Sequence, residues 1–281
     1  MNTDVIKEYV IRGQKYQIRK YACSSNTRFP FYINITNRCN ASCPFCCNGG
    51  NRDYRKLDLD YLKEIFEIVS PDISRISISG GETLIDSKQM DELLTLLDPY
   101  QISTTINTNG SFLLTNIPML NSHRLQAIIL SRHHYDDEKN NEIFHLDTLG
   151  IEKIHKMGLK TNIRFNCLLI KGYIDSYDEV TKYLEMVCDK SDAYQVGFIS
   201  MMGVNKFAQD KFVDYRDIIK KLDDRFEPTG YKCDGERCSC ANYFYTSSKG
   251  KRIFVYFRYT KEYGCSGRSL FFDCTGLKEG Y

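Results

Sequence analysis

A chain of 281 residues is long enough for one large domain with a small appendage, or for one α/β barrel. Its 38 basic and 36 acidic residues leave a net charge of +2, so the charge balance does not demand a nucleic acid or an anionic membrane as partner. No run of about 18 apolar residues is present, and the opening MNTDVIKEYVIRGQKYQIRK is too polar for a signal peptide, so a cytoplasmic protein without a membrane span is expected.

In chain order, residues 9–20 read as a small hairpin about Gly13. Apolar strands are then predicted at 31–36, 73–79, 102–107, 125–131, 160–170 and 194–200. Between them, apolar residues spaced by three and four predict helices at 58–70, 87–98, 139–157, 176–190 and 213–224. The alternation reads as βαβ units around a parallel sheet. After residue 226 the helical period stops, and NYFYTSSKGKRIFVYF reads as a β-hairpin turning at Ser248–Gly250.

The strands are not apolar on both faces, as fully buried parallel strands usually are. Ile33 and Ile35 oppose Asn34 and Thr36; Ile76 and Ile78 oppose Ser77 and Ser79; Phe165 and Cys167 oppose Arg164 and Asn166. Alternate side chains point to opposite faces, so one face packs on helices and the other is polar. The expected fold is a partial (β/α)6 TIM-like barrel (residues 31–225) whose lumen holds a polar ligand. An N-terminal hairpin (1–30) precedes it, and a small, cysteine-rich, hairpin-containing C-terminal extension (226–281) packs on it.

Twelve cysteines in a reducing compartment point to metal, redox or packing roles rather than a disulfide framework. Three of them, Cys39, Cys43 and Cys46, are spaced C-x3-C-x2-C in the loop after the first barrel strand, and Cys47 is spare. Three thiolates on one loop can hold three irons of a [4Fe–4S] cluster and leave the fourth iron open, whereas electron-transfer clusters use four cysteines. Barrels carry their chemistry at the C-terminal ends of the strands, where this loop lies.

With Phe45 in the aromatic position of C-x3-C-x-aromatic-C, the segment resembles the radical S-adenosylmethionine (SAM) family. Two further stretches match in order. SGGET (79–83) follows the second strand and is similar to the family's GGE element. NTNG (107–110) follows the third and resembles the TNG element of the subgroup with the molybdenum-cofactor cyclase and the SPASM and twitch peptide-modifying enzymes. The resemblance spans about residues 31–225. It implies that Cys39, Cys43 and Cys46 ligate the cluster and that SAM chelates the open iron. One-electron reduction, from a flavodoxin- or ferredoxin-type donor, then gives a 5′-deoxyadenosyl radical that abstracts hydrogen from the substrate. It further implies SAM contacts from Phe45, Gly80, Gly81, Asn107, Asn109 and Ser131, with the Glu82 carboxylate on the SAM amino group. Arg164 and Asn166 on the lumen face are candidates for SAM or substrate, against the alternative of a structural hydrogen-bond network.

LSRHHYDDEKN (130–140) follows the fourth strand. His133, His134 and Asp136 are candidates for substrate binding or proton transfer. The plainer alternative is a helix opened by Asp136 and Asp137, with solvated histidines. In the C-terminal extension, Cys240 and Gly250 fit the first half of the twitch pattern, but Val255 stands where its second cysteine belongs. A second iron–sulfur cluster on Cys233, Cys238, Cys240 and Cys265, a zinc site, and free thiols all stay open.

The expected activity is hydrogen abstraction from a peptide or from a small natural-product or cofactor precursor. The roughly 30 residues before the barrel leave no room for a leader-peptide recognition domain, which weakens the peptide reading. The alternatives are modification of a nucleotide or tRNA, with Lys249, Lys251, Arg252 and Arg258 touching RNA, and a non-catalytic iron–sulfur or zinc module.

Overall fold

The apolar alternation sets the strands, and the computed structural model arranges them as one continuous sheet; it describes residues 5–19, 28–49, 53–155, 157–230, 240–259 and 269–280. Two N-terminal strands, β1 (Val5–Ile11) and β2 (Gln14–Arg19), form a separate hairpin. Arg12 and Gly13 both take positive φ in its two-residue turn, the backbone that matches the twist of paired strands. Tyr9 donates to Asp72 at 2.6 Å and Arg12 pairs with Glu64 at 2.7 Å, which dock the hairpin on the barrel.

Six parallel strands follow: β3 (Phe29–Asn34), β4 (Ile73–Ser79), β5 (Thr104–Thr108), β6 (Ala127–Ser131), β7 (Asn162–Leu169) and β8 (Gln195–Ser200), each paired with the next. Helices α1 (Leu59–Val69), α2 (Ser87–Leu97), α3 (Leu113–Ser122), α4 (Asp137–Phe144), α5 (Ile151–His155) and α6 (Tyr177–Lys190) alternate with them, and α7 (Lys206–Asp210) and α8 (Tyr215–Ile219) come after β8. Side chains of Asp58, Asp86, Asp136, Ser176, Asn205 and Asp214 cap six of these helices, satisfying N–H groups that the first turn leaves without a partner.

The two faces of the sheet separate as the alternation requires. Phe31, Ile33, Ile76, Ile78, Ile106, Phe165 and Cys167 are fully buried. Phe66 of α1 meets Phe31 edge-on at 5.0 Å, and each such ring contributes roughly 1.5–3 kcal/mol through burial. Asn34, Ser77, Ser79, Asn107 and Asn166 lie on the other face and are half-buried.

The C-terminal hairpin forms where expected, between β10 (Ala241–Thr246) and β11 (Arg252–Tyr259), after the short β9 (Phe226–Pro228). Gly250 takes φ +80° in its turn. The hairpin attaches edge-on rather than as a layer over the barrel: β11 pairs in parallel with β8, and β12 (Leu270–Asp273) pairs in parallel with β3 at the opposite edge, followed by antiparallel β13 (Gly276–Glu279). Eight parallel strands therefore run in the order β12-β3-β4-β5-β6-β7-β8-β11, and the chain crosses between the two edges after Tyr259.

Two helix expectations are corrected, and one helix is added. The stretch 139–157 splits into α4 and α5, because the chain turns at His145, whose φ is +50°, and Thr148 is held by Asn140 and Asn141. The stretch 213–224 contracts to α8. Helix α3 has no counterpart in the helices read from the sequence; Pro118 lies inside it and removes one backbone donor.

Candidate active site

The cysteine loop is held at the C-terminal ends of the strands by three of its neighbours. Asn109, after β5, donates to Asn40 at 3.0 Å. Ser42 N–H donates to the Phe144 carbonyl at the end of α4 at 3.2 Å. Asn205, the cap of α7, donates to the Pro44 carbonyl at 2.9 Å. Asn40, Ser42 and Asn205 belong to no motif marked in the sequence.

The loop after β4 lies against the same segment. Gly81 N–H donates to the Thr36 carbonyl at 2.7 Å and Glu82 N–H to the Arg38 carbonyl at 2.8 Å. A Cβ on Gly81 would sit 2.2 Å from the Arg38 carbonyl oxygen, and one on Gly80 would sit 2.5 Å from that of Thr36. Both glycines are required by close backbone approach.

These loops enclose a cavity of about 300 Å³, at the lower end of the size usual for small-molecule sites. Cys39, Cys43 and Cys46 form part of its wall, with Phe45, Gly80, Gly81, Asn107, Asn109, Ser131 and Asn166 around it. One cavity thus brings these sequence candidates together. Its apolar side, which no motif marked, is made by Leu168, Ile199, Met201, Met202 and Val204 from β7 and the β8 end, together with Phe144.

Four sequence candidates sit differently from expectation. Glu82 is fully buried and absent from the wall. Its carboxylate accepts from Thr108 Oγ1 at 2.6 Å, Asn109 N–H at 2.8 Å and Leu84 N–H at 3.0 Å. Burial raises its pKa against those three hydrogen bonds. Both oxygens take part in binding the β4 loop to the β5 loop, through three of the carboxylate's acceptor positions. Arg164 lies toward the N-terminal end of β7, donates to Tyr194 Oη at 2.5 Å, and is not on the wall. Asp136 caps α4 by accepting from Lys139 N–H at 3.0 Å, the helix-opening role. His134 is sealed away from the cavity, its Nδ1 accepting from Asp136 N–H at 2.9 Å.

His133 does border the cavity. Its Nδ1 accepts from Leu168 N–H at 3.1 Å, and its ring stacks on Phe144 at 4.8 Å and meets Phe45 edge-on at 5.2 Å. Burial lowers its pKa to about 3, so it is neutral at physiological pH. The loop that carries it is pinned by Arg132, a fully buried arginine that pairs with Asp137 and donates to the Tyr135 carbonyl at 3.2 Å.

The C-terminal extension reaches the site through one row of lumen-facing residues: Ser131, Asn166, Gly197 and Tyr256 are register partners across β6, β7, β8 and β11. A Cβ on Gly197 would lie 2.2 Å from the Tyr256 ring, so the missing side chain makes room for that ring. Tyr256 then donates to Asn166 Oδ1 at 2.7 Å.

The donor set fits an iron–sulfur cluster. Burial, and the neighbouring Cys46 and Cys39, push the Cys43 thiol up to about 12, and burial also raises Cys39. Positive irons are what would hold such groups as thiolates. Three thiols on one loop beside the cavity suit a cluster that takes one thiolate per iron. Of the second cysteine group, Cys233, Cys238 and Cys265 lie outside the described residues; Cys240 precedes β10 and Cys274 lies between β12 and β13, at opposite edges of the sheet.

Comparison with known proteins agrees with this arrangement. The family model described as the radical SAM superfamily matches residues 33–184, more than half of the chain. A probable GTP 3′,8-cyclase of Methanocella arvoryzae is 28% identical over 172 residues, 58% of this chain and 54% of the relative. The putative peptide biosynthesis protein YydG of Bacillus subtilis is 33% identical over 81 residues, 28% of this chain and 25% of that protein. The chain thus spans about half the length of the first relative and a quarter of the second. Streptococcus suis SuiB bound to S-adenosylmethionine shares the fold, with a TM-score of 0.59 and 18% identity over 69% of this chain and 46% of SuiB. With a family match across most of the barrel, and three cysteines of the family's spacing on the wall of a cavity at its strand ends, the chain belongs to the radical SAM superfamily of enzymes.

Proposed function

We propose that the cavity binds SAM against a [4Fe–4S] cluster held by Cys39, Cys43 and Cys46, and that the enzyme abstracts hydrogen from a peptide or small precursor. The observation that carries this is the shared wall of three thiols, a Gly-Gly turn and a row of amide and hydroxyl groups. When bound, the cluster and SAM supply the one-electron chemistry that removes hydrogen from an unactivated carbon. The chain's own contribution is placement. Gly80 and Gly81 let the β4 loop pack on the backbone of Thr36 and Arg38 beside the ligand, Ser131 and Asn166 offer polar contacts, and Leu168, Ile199 and Met201 keep water from a reactive site. The electron is supplied by a flavodoxin- or ferredoxin-type partner.

The apolar side of the wall supports a peptide or apolar substrate, and among the described lining residues there is no lysine or arginine to bind a triphosphate. The peptide-related name of YydG, and SuiB bound to its precursor peptide SuiA, favour the same class. Modification of tRNA is less supported, because the basic residues of the C-terminal hairpin already have partners. Lys249 pairs with Asp189, Arg252 pairs with Glu227 at 2.5 Å and lies over Phe244, and Arg258 lies over Tyr256.

The test is anaerobic iron and sulfide counting on the wild type and on a Cys39→Ala/Cys43→Ala/Cys46→Ala variant. About 4 irons in the wild type and none in the variant supports one open cluster. About 8, with about 4 left in the variant, adds a second cluster on the C-terminal cysteines. Zinc without iron in the wild type overturns the proposal.

A further inference from the structure

We propose that the lumen face of the C-terminal hairpin is a substrate subsite for the acidic side chains of a peptide, recognised by Arg258 and Arg164. The inference rests on the reading of the substrate as a peptide and specifies which peptides are taken.

Strand alternation builds the face. Along β11, Ile253, Val255 and Phe257 are buried on the helix side, which turns Phe254, Tyr256 and Arg258 to the lumen. Sheet register carries this face to the cavity. Arg258 is the register partner of Ile199, and Ile199 that of Leu168; both apolar residues line the cavity. One row toward the strand N-termini, Tyr256 reaches across Gly197 and donates to the cavity residue Asn166. Adjacent strands lie about 4.8 Å apart, so Arg258 stands one strand from the apolar wall of the cavity. An extended peptide advances about 3.4 Å per residue. A peptide with one side chain in the cavity therefore lays its next one or two residues over β11.

Charge gives the class of side chain. Arg258 is exposed, and its guanidinium lies 5.0 Å from the centre of the Tyr256 ring. Arg164, on the lumen face of β7, is half-buried, donates from Nε to Tyr194 Oη at 2.5 Å and lies 5.2 Å from the centre of that ring. A ring face, or one phenol oxygen, leaves most N–H groups of a guanidinium unused. The carboxylate on this face of the extension, Glu227, is paired with Arg252; among the described residues none pairs with Arg164 or Arg258. Both guanidinium charges act on the Tyr256 hydroxyl, which places them on either side of one ring. Uncompensated guanidiniums bind carboxylates through paired N–H groups. The half-buried rings of Phe254 and Tyr256, 6.3 Å apart, offer apolar contact to the rest of the peptide.

The chain contains no tryptophan, so a tryptophan peptide reports its own binding by fluorescence anisotropy. The probes are acetyl-Gly-Glu-Trp-Glu-Gly-amide and its Gln and Lys counterparts, with blocked ends so that only side-chain charge differs, titrated anaerobically with the cluster-loaded protein. The Glu peptide is expected to bind roughly 3- to 10-fold tighter than the Gln peptide, the worth of two partly exposed ion pairs. Raising salt from about 0.05 M to about 0.5 M removes most of that preference. Arg258→Gln and Arg164→Gln each lose part of it and leave affinity for the Gln peptide unchanged, which loss of a purely structural arginine would not do. Arg258→Lys keeps most of the preference, and Arg258→Glu turns it toward the Lys peptide. The proposal is overturned if the wild type binds the Glu and Gln peptides equally, or if both Gln variants retain the full preference. It is also overturned if a short oligothymidylate displaces the Glu peptide at a far lower concentration, which would assign the face to nucleic acid. Equal binding of the Glu and Gln peptides leaves the peptide reading standing; absence of binding by all three peptides overturns that reading together with the proposal.

Discussion

Replacing Glu82 by glutamine tests whether this carboxylate serves the fold or the ligand. In the native arrangement Oε1 accepts from Thr108 and Leu84, and Oε2 accepts from Asn109 N–H at 2.8 Å. Glutamine keeps one oxygen, so its NH2 must face a donor: Asn109 N–H if the oxygen stays with Thr108 and Leu84. The lost charge-assisted bond is worth about 1.5–3 kcal/mol, and the stranded buried donors cost about 1–3 kcal/mol more. Relief from burying a charge offsets part of this. The expected net loss is about 2–4 kcal/mol. With a urea slope of about 3 kcal/mol/M, the unfolding midpoint falls by about 1 M. Thr108→Val removes one of the three bonds, together with the bond that Gly110 N–H makes to the Thr108 hydroxyl, and is expected to cost about 1–2 kcal/mol. The reasoning is refuted if Glu82→Gln leaves the midpoint unchanged while S-adenosylhomocysteine binding is abolished, because the carboxylate would then be a ligand contact.

Three further outcomes are expected. Gly197→Ala drives a methyl into the Tyr256 ring and is expected to cost about 1–3 kcal/mol by overpacking; in Tyr256→Phe the added methyl still meets the ring, so the penalty measured by urea unfolding persists in that background. Asp137→Ala strips the buried Arg132 of its counter-charge and is expected to cost about 3 kcal/mol, whereas Arg132→Met removes charge and need together and costs less; equal losses in thermal unfolding would contradict this. His123 is held by Asp98 at 2.7 Å and Asp91 at 2.8 Å; burial alone would lower its pKa, but the two carboxylates outweigh that and raise it. A raised native value stabilises the fold fully below the unfolded value near 6.5 and loses that contribution as pH rises through the native one. The Tm gap between wild type and His123→Gln should therefore narrow with rising pH, and a gap that widens would refute the assignment.

Much of the site was legible because its signals are local. The Cys39, Cys43 and Cys46 spacing puts three thiols on one loop, the Gly-Gly pair marks a close backbone approach, and strand alternation put Asn107 and Asn166 on the lumen face and Cys167 on the helix side. Period and spacing survive any tertiary arrangement, so the barrel could be read from them. Which polar groups remain free could not, because each is spent or spared by a partner far away in sequence. The Glu82 carboxylate accepts from Thr108 and Asn109, His133 Nδ1 accepts from the Leu168 N–H of β7, and Arg164 donates to Tyr194. The attachment of the C-terminal strands belongs to the same class: their alternation marks them as strands, but only sheet register sets β11 beside β8 and brings Tyr256 over Gly197 to Asn166. Local sequence determined which elements form and which face of each is polar; long-range register decided which partners those polar groups meet, because residues far apart in sequence become neighbours only when the strands pair.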